Sequence, residues 1–380
     1  MRILILAQHI HPMQTPRAHR ATELSLELAR QGHQVVIYSV IGKHDYAGME
    51  KEFGLTIKPI EIKWMIHPYN SDNDGRRTIP DKVLGKLLKK LEFPNLEFYF
   101  RVQEILAKDN KYDALISIAD PHQIHWGIAK YRSKHPELFP KVWIADCGDP
   151  FMLNGVKSGH LTYFERYERL FCQNSDIITV PVENAKQGYY EEYRSKIRVI
   201  AQGFKFEEES NAGEPTNPVP TFAYAGTFYK DIRNPEKLFD YLTGLQRDFR
   251  FIIYSNHTEL IDRFKAVLGD KLNIRKPIPR RELLKELKTM DFLLNLENEN
   301  SPAQIPSKLI DYAITGRPIL SINPGNPDIE KVNQFLSKIY LNQYLVKDLD
   351  QYRIENIANR FIEEIKWISE NNPDNSDICI

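Results

Sequence analysis

The feature that most restricts this chain is a unit of strand, loop, helix and strand between Asp291 and Ile322. Asp291-Phe-Leu-Leu-Asn-Leu296 is an apolar run of strand length, and a polar loop from Glu297 to Ile305 follows it. Pro306 reads as the first helical position, where a missing N–H costs nothing. Leu309, Ile310, Ala313 and Ile314 then share one apolar face at helical spacing, and Gly316 stops the helix. Pro318-Ile-Leu-Ser-Ile322 reads as the next buried strand. Ser307 and Lys308 fall on the free amides of the helix start. Such an end attracts phosphate through its unpaired N–H groups and its dipole, and a lysine adds a full charge. Asp311, four residues after Ser307, points toward the same end from the second turn.

The same alternation runs through the rest of the chain. Arg2–Ala7 reads as a buried strand, Gln8–Pro16 as a loop rich in His and Pro, Arg17–Gln31 as a helix closed by Gly32, and Gln34–Val40 as a strand. Further strands are expected at Tyr112–Ile118, Val142–Asp146, Asp176–Val180 and Ile197–Ile200, with helices at Tyr163–Gln173 and Glu183–Glu192. Phe206 to Pro220 is acidic and proline-rich and reads as a linker. A second alternation follows: strand Thr221–Gly226, a helix from Asn234, strand Phe251–Tyr254 and helix Thr258–Leu268. Ile354, Ile357, Phe361, Ile362 and Ile365 recur at helical spacing and mark a final helix. At 380 residues the chain is too long for one ordinary core, so two α/β domains are expected. No G-x-G-x-x-G dinucleotide fingerprint occurs.

Charge narrows the function classes. Lys plus Arg (51) balances Asp plus Glu (51), so no global field argues for nucleic acid. Cys147, Cys172 and Cys379 lack metal-ligand spacing and fit free thiols in a reducing compartment. No apolar run approaches the roughly 20 residues of a spanning helix, and a cytoplasmic location is expected. Asp72-Asn-Asp74 lies in turn chemistry, Tyr69 to Gly75, so no essential metal is expected there. In Asp81–Leu91, Val83, Leu84, Leu87, Leu88 and Leu91 line one helical face, with Lys82, Lys86, Lys89 and Lys90 around it. That pattern suits either a peripheral contact with anionic membrane or an ordinary surface helix. Arg17 and Arg20 sit in a first helical turn, where a cation opposes the dipole; they read either as a site for an anionic ligand or as solvated arginines.

Pro306-Ser-Lys-Leu-Ile-Asp-Tyr-Ala-Ile-Thr-Gly-Arg-Pro-Ile319 resembles the donor-binding motif of GT-B glycosyltransferases, in particular the retaining family 4. The resemblance implies two Rossmann-like domains facing a central cleft: 1–203 for the acceptor, 204–350 for a nucleotide sugar, and 351–380 as a helix returning to the first domain. It implies that Ser307 and Lys308 hold the diphosphate and that Asp311, where the family more often has glutamate, grips the ribose. Ala303 stands where the family places a second glutamate. Gly226 matches the glycine beneath the donor phosphates, Thr227 stands in an arginine place, and Lys230 or Arg233 serves for the following lysine. Lys308 and Arg233 are the expected neutralisers of the departing diphosphate. The segment 274–279, with Lys276 and Ile278, matches where the nucleobase is held, and Ser301 lies in the loop before the motif helix.

On the acceptor side the resemblance covers Gly32-His-Gln-Val35 at the end of the first helix, with His9, His11 and Arg17 as expected acceptor contacts. Asp120 and His122 follow the strand ending at Ile118, at the strand end where open α/β sheets bind ligands. Asp146-Cys-Gly-Asp-Pro-Phe151 resembles a family segment in which Gly148 is usually arginine. Asp120, His122 and Asp149 are the candidate catalytic groups. The implied activity is transfer of a sugar from a nucleotide-diphosphate sugar to a hydroxyl of a glycan, polysaccharide or lipid-linked acceptor. The implied course is retaining and metal-independent, with the diphosphate itself helping to take the acceptor proton. The alternatives are a catalytically degenerate nucleotide-sugar or glycan binder and a GT-B nucleotide-sugar epimerase.

Overall fold

The computed structural model describes the chain apart from residues 14, 65–87, 89, 154–159, 207–214, 299–306 and 372–380. The chain forms two compact units, one of residues 1–205 with 351–380 and one of residues 206–350. The first runs β1 (Arg2–Ala7), α1 (Pro16–Arg30), β2 (Gln34–Ser39), α2 (Ala47–Phe53), β3 (Thr56–Pro59), α3 (Leu96–Lys108), β4 (Ala114–Ile118), α4 (Gln123–Lys134). It continues with β5 (Val142–Asp146), α5 (Glu165–Asn174), β6 (Ile177–Val180) and β7 (Ile197–Val199). The second runs β8 (Thr221–Ala225), α6 (Glu236–Thr243), β9 (Arg250–Tyr254), α7 (Lys265–Leu268), β10 (Leu272–Arg275), α8 (Arg280–Lys288). It closes with β11 (Phe292–Leu296), α9 (Ser307–Ile314), β12 (Ile319–Ile322) and α10 (Ile329–Leu336), before α11 (Ile354–Asn371) rejoins the first unit.

In the first unit the strands lie in the order β3-β2-β1-β4-β5-β6-β7, all parallel. Alternation along β1 divides the core. Leu4 and Leu6 face Phe98, Val102 and Trp126 of α3 and α4, while Ile3 and Ile5 face α1 and α11. Buried strands covered by helices on both faces read as near-continuous apolar runs, which is how β1, β4 and β5 appear. Helix α1 begins where Thr15 Oγ1 accepts from Ala18 N (3.2 Å), with Pro16 in the first turn. The apolar stripe of α11, Ile354 to Ile365, closes the second face beside Ala21, Leu24 and Leu28. A Cβ on Gly203 would come within 2.6 Å of Ile354 Cδ1, so only glycine lets the chain pass under that helix.

The second unit is a five-stranded parallel sheet, β10-β9-β8-β11-β12. Phe222, Tyr224, Leu294 and Leu296 face α6 and α10, while Ala223 and Leu293 face α8 and α9. Both sheets therefore have doubly wound order, with a switch between β1 and β4 in one and between β8 and β11 in the other.

Two expected helices are not formed. Glu183–Glu192 becomes two 3-10 turns, Glu183–Gly188 and Glu191–Lys196. Tyr189 between them is extended and fully buried, and a Cβ on Gly188 would meet Pro150 Cγ at 2.2 Å. Burying one aromatic ring outweighs the continuation of a helix. In Thr258–Leu268 only Asp262–Phe264 and α7 are helical, because Thr258 O closes a turn with Ile261 N (2.8 Å) that seats Ile261 in the core. The Asp72-Asn-Asp74 turn, Asp81–Leu88 apart from Leu88 itself, Lys89, Ser301, Ala303 and Cys379 lie outside the described residues. Among those described, no helix is long and apolar enough to cross a membrane.

Candidate functional site

A cavity of the second unit, about 320 Å³, opens at the carboxyl ends of β8 and β9 and the start of α9. It adjoins the switch point of that sheet, between β8 and β11, where the doubly wound topology leaves a crevice. Its lining includes Gly226, Thr227, Ser255, Ile278, Lys308 and Asp311. Gly226 ends β8 at φ 153°, a backbone state that L side chains rarely adopt, while its N–H bonds Tyr254 O (3.1 Å). Tyr312 pins α9 to the same strand end, its Oη accepting from Ala225 N (2.8 Å).

Lys308 is the unusual group. Its Nζ is buried and has no hydrogen-bond partner among the described residues, and it lies 4.4 Å above the Tyr224 ring. Burial, with Arg233 beside it, pushes this ammonium well below the ordinary lysine range. Arg233 stacks on Tyr229 (5.2 Å) and hydrogen-bonds the Tyr224 hydroxyl, which itself donates to Thr227 O (3.1 Å). Two cations thus converge at the first turn of α9, with no carboxylate between them among the described residues. An unpaired buried charge costs several kcal/mol unless an opposite charge meets it, so the arrangement is complementary to an anion.

Asp311, one turn further along, is mostly buried, and Arg280 at the start of α8 donates from Nε to its Oδ1 (2.8 Å). Burial raises the Asp311 pKa, and Arg280 opposes that rise. Lys230 and Lys276 are exposed and do not line the cavity, and Arg233 stands behind its wall near Lys308. Ser307 opens α9. Sequence reasoning did not find Tyr224, Tyr312 or Arg280. Tyr312 lies inside the quoted motif, but nothing local marks its hydroxyl as the partner of β8.

In the first unit a small cavity lies at the ends of β1 and β4, lined by His9, Arg17 and Asp120 among others. His11 is outside it, exposed and edge-on to His44 (5.6 Å). The two arginines of α1 face the protein's own carboxylate. Arg20 is fully buried and donates from Nη2 to Asp146 Oδ1 (2.9 Å) and from Nη1 to Ala201 O (2.7 Å). Arg17 bonds Asp146 and Ala119 O. Burial works against the Asp146 charge, but Arg17, Arg20 and Thr179 together hold its pKa down to about 2. The anion expected of Arg20 is thus Asp146, and only Arg17 keeps an edge on a cavity. A Cβ at Gly148 would sit 3.5 Å from Arg17 Cδ, an ordinary van der Waals contact, so Arg17 lies beside this position without itself demanding glycine there.

His122 is buried against Phe151 (5.4 Å) and hydrogen-bonded to the backbone at Asp149, with its Nε2 unpartnered among the described residues. Burial lowers its pKa and Asp120 opposes that. Asp120 and Asp149 are exposed at the adjoining strand ends. Glu92 was not foreseen: it pairs with His160 (3.3 Å), and burial raises its pKa. Behind this surface runs a sealed polar chain. Trp143 Nε1 donates to Ser117 Oγ (2.7 Å), Ser117 meets His125 Nδ1 (2.8 Å), and His125 Nε2 meets Cys147 Sγ (3.4 Å). Burial lifts the Cys147 thiol to about 12, so it is no nucleophile. Glu168, also buried, accepts from Phe151 N (2.9 Å) and Met152 N (3.2 Å) and fixes the loop that carries Asp149. Among the described residues no three His, Cys, Asp or Glu side chains are grouped to hold a metal ion.

No family model and no curated relative matches the sequence. Solved structures do match. A glycosyltransferase from Rickettsia africae ESF-5 is 14% identical, with 97% of this chain and 99% of that chain covered at a TM-score of 0.64. The lipopolysaccharide outer core galactosyltransferase WaaB, apo form, is 12% identical, with 97% and 99% covered at 0.61. A UDP-N-acetylglucosamine 2-epimerase is 11% identical, with 98% and 97% covered at 0.51. At such identity the likeness is one of fold, and the chain has the GT-B glycosyltransferase fold over both units.

Proposed function

We propose that the chain is a glycosyltransferase that moves a sugar from a nucleoside-diphosphate sugar to a hydroxyl acceptor. The observation that carries this reading is the buried Lys308 ammonium, unpartnered among the described residues, beside Arg233 at the start of α9. In the proposed reaction the bond between the sugar's anomeric carbon and the diphosphate oxygen breaks as one to the acceptor oxygen forms. Negative charge grows on the departing diphosphate, where Lys308, Arg233 and the α9 amides already stand. As in the resembled family 4, the acceptor proton passes to that diphosphate, the configuration is retained and no essential metal takes part. Asp120, His122 and Asp149 are the acceptor-side groups of this reading, with Arg17 and His9 beside them. The acceptor is a glycan, a polysaccharide or a lipid-linked sugar, and residues 81–91 supply an anionic-membrane contact if it is lipid-linked. The cytoplasm is where such donors are met.

The GT-B fold is shared by an epimerase, so transfer and epimerisation are told apart by product. The first test is thermal denaturation with UDP, GDP, ADP and dTDP in turn, each with EDTA. A ligand at about 100 times its Kd stabilises by roughly 2.7 kcal/mol. A shift with one nucleotide supports the donor site and names the base. Release of that nucleotide from its sugar only when an acceptor is present supports transfer. Binding without turnover supports a degenerate binder, and no shift with any nucleotide refutes the reading.

A further inference from the structure

We infer that Arg280 is a positioning residue for the donor nucleotide's ribose, acting through Asp311 and not on the nucleotide itself. This rests on the donor-site reading above. Asp311 and Lys308 line one cavity, three positions apart on α9. A carboxylate so near the diphosphate would repel phosphate oxygens, so it suits only a neutral hydrogen-bond donor. On a nucleoside diphosphate the paired neutral donors nearest the phosphates are the ribose hydroxyls.

The geometry of Arg280 fits such a role. Its Nε donates to Asp311 Oδ1 (2.8 Å) and its Nη2 lies 2.8 Å from the same oxygen. Oδ2 has no donor among the described residues and is left to the cavity that Asp311 lines. The planar guanidinium therefore fixes the carboxyl rotamer by one oxygen and leaves the other for a ligand. It also offsets the burial that favours protonation of Asp311, keeping an acceptor where a protonated acid would present an O–H. Arg280 reaches this point from the first position of α8, directly after the loop whose Pro277 and Ile278 line the same cavity. Nucleobase wall and ribose acceptor are thereby held by one short segment.

The experiment is calorimetric titration of the full chain with whichever of UDP, GDP or ADP binds, and with the 2′,3′-dideoxy form of the same nucleotide. Wild type should prefer the ribonucleotide by about tenfold or more, the scale of one to two hydrogen bonds to a charged group. Arg280→Met should lose most of that preference while binding the dideoxy nucleotide as wild type does. Arg280→Lys should restore part of it, and Arg280→Met should add no further loss in an Asp311→Ala background. Equal losses for the two nucleotides, or a further loss in the Asp311→Ala background, would overturn the inference, since Arg280 would then touch the nucleotide directly. Should Arg280→Met fail to fold, Arg280→Gln carries the same ratio test. A wild-type chain that binds none of the three nucleotides refutes the donor site itself. A wild-type chain that binds both forms equally refutes the ribose role alone.

Discussion

Replacing Lys308 with methionine should move stability and binding in opposite directions. In the ligand-free protein the ammonium is buried, lacks a hydrogen-bond partner among the described residues and lies near Arg233. Methionine has similar length and no charge, so Lys308→Met should relieve about 1–3 kcal/mol, the cost of an unsatisfied buried polar group. That is a rise in Tm of about 1–4 °C for a chain of this length, at about 2.1 cal/mol/K of unfolding entropy per residue. The sign follows from linkage. The Lys308 pKa is depressed in the folded state, so the penalty is full at low pH and fades as pH rises toward the ordinary lysine value of about 10.4. The gain from the substitution should therefore be largest at acidic pH, shrink as pH rises and vanish in alkali. Nucleotide binding should behave otherwise. An ammonium about 4 Å from a phosphate oxygen interacts with about 4 kcal/mol at an effective dielectric constant near 20. Its desolvation has already been met in folding, so a large share should appear in affinity, about 2–4 kcal/mol or a 30- to 1000-fold rise in Kd. Calorimetric titration beside differential scanning calorimetry reads both quantities. A Kd change below about threefold would remove Lys308 from the anion site. A lower Tm in the ligand-free variant would mean that its contact with Tyr224 outweighs its isolation.

Asp146→Asn should destabilise the chain by about 3–5 kcal/mol in urea denaturation, because it leaves Arg20 buried with half its partner. A loss under about 1 kcal/mol would show that the carbonyls at 200 and 201 suffice for Arg20. Tyr312→Phe should cost about 1–3 kcal/mol by stranding the Ala225 N–H at the end of β8, with the nucleotide Kd rising as the cavity wall loosens. An unchanged melting curve would contradict it. Glu168 titrates near 7 because burial outweighs the amides it accepts from, so the folded state holds a proton that the unfolded state has lost above about pH 4.3. Wild type should thus lose stability between about pH 5 and 7 relative to Glu168→Gln; parallel profiles would place the Glu168 pKa in the ordinary range.

What could be read from the chain beforehand follows a physical divide. The strands of both sheets are buried on two faces, so β1, β5, β8 and β11 stand out as short apolar runs bounded by polar loops. The start of α9 was legible for a local reason: proline, small residue, lysine and an apolar stripe all lie within one turn or two. Features made by tertiary contact were not. Arg280 meets Asp311 across 31 positions, and Tyr312 meets Ala225 across 87. The charge on Arg20 could be seen, but its partner, 126 residues away, could not, and so an internal ion pair looked like a place for an anion. Glu183–Glu192 shows the converse, where helical propensity yielded to the burial of Tyr189.

The place of α11 in the first unit bears on how the chain is made. Residues 206–350 are contiguous, so that unit can finish folding as soon as it leaves the ribosome. The first unit cannot. Its strands and α1 emerge early, yet Ile3, Ile5, Leu24 and Leu28 wait for a lid that is translated some 150 residues after β7. For that interval, roughly 8–30 seconds at about 5–20 residues per second, the nascent chain carries an uncovered apolar face, which makes this stage the point where chaperones would be needed most.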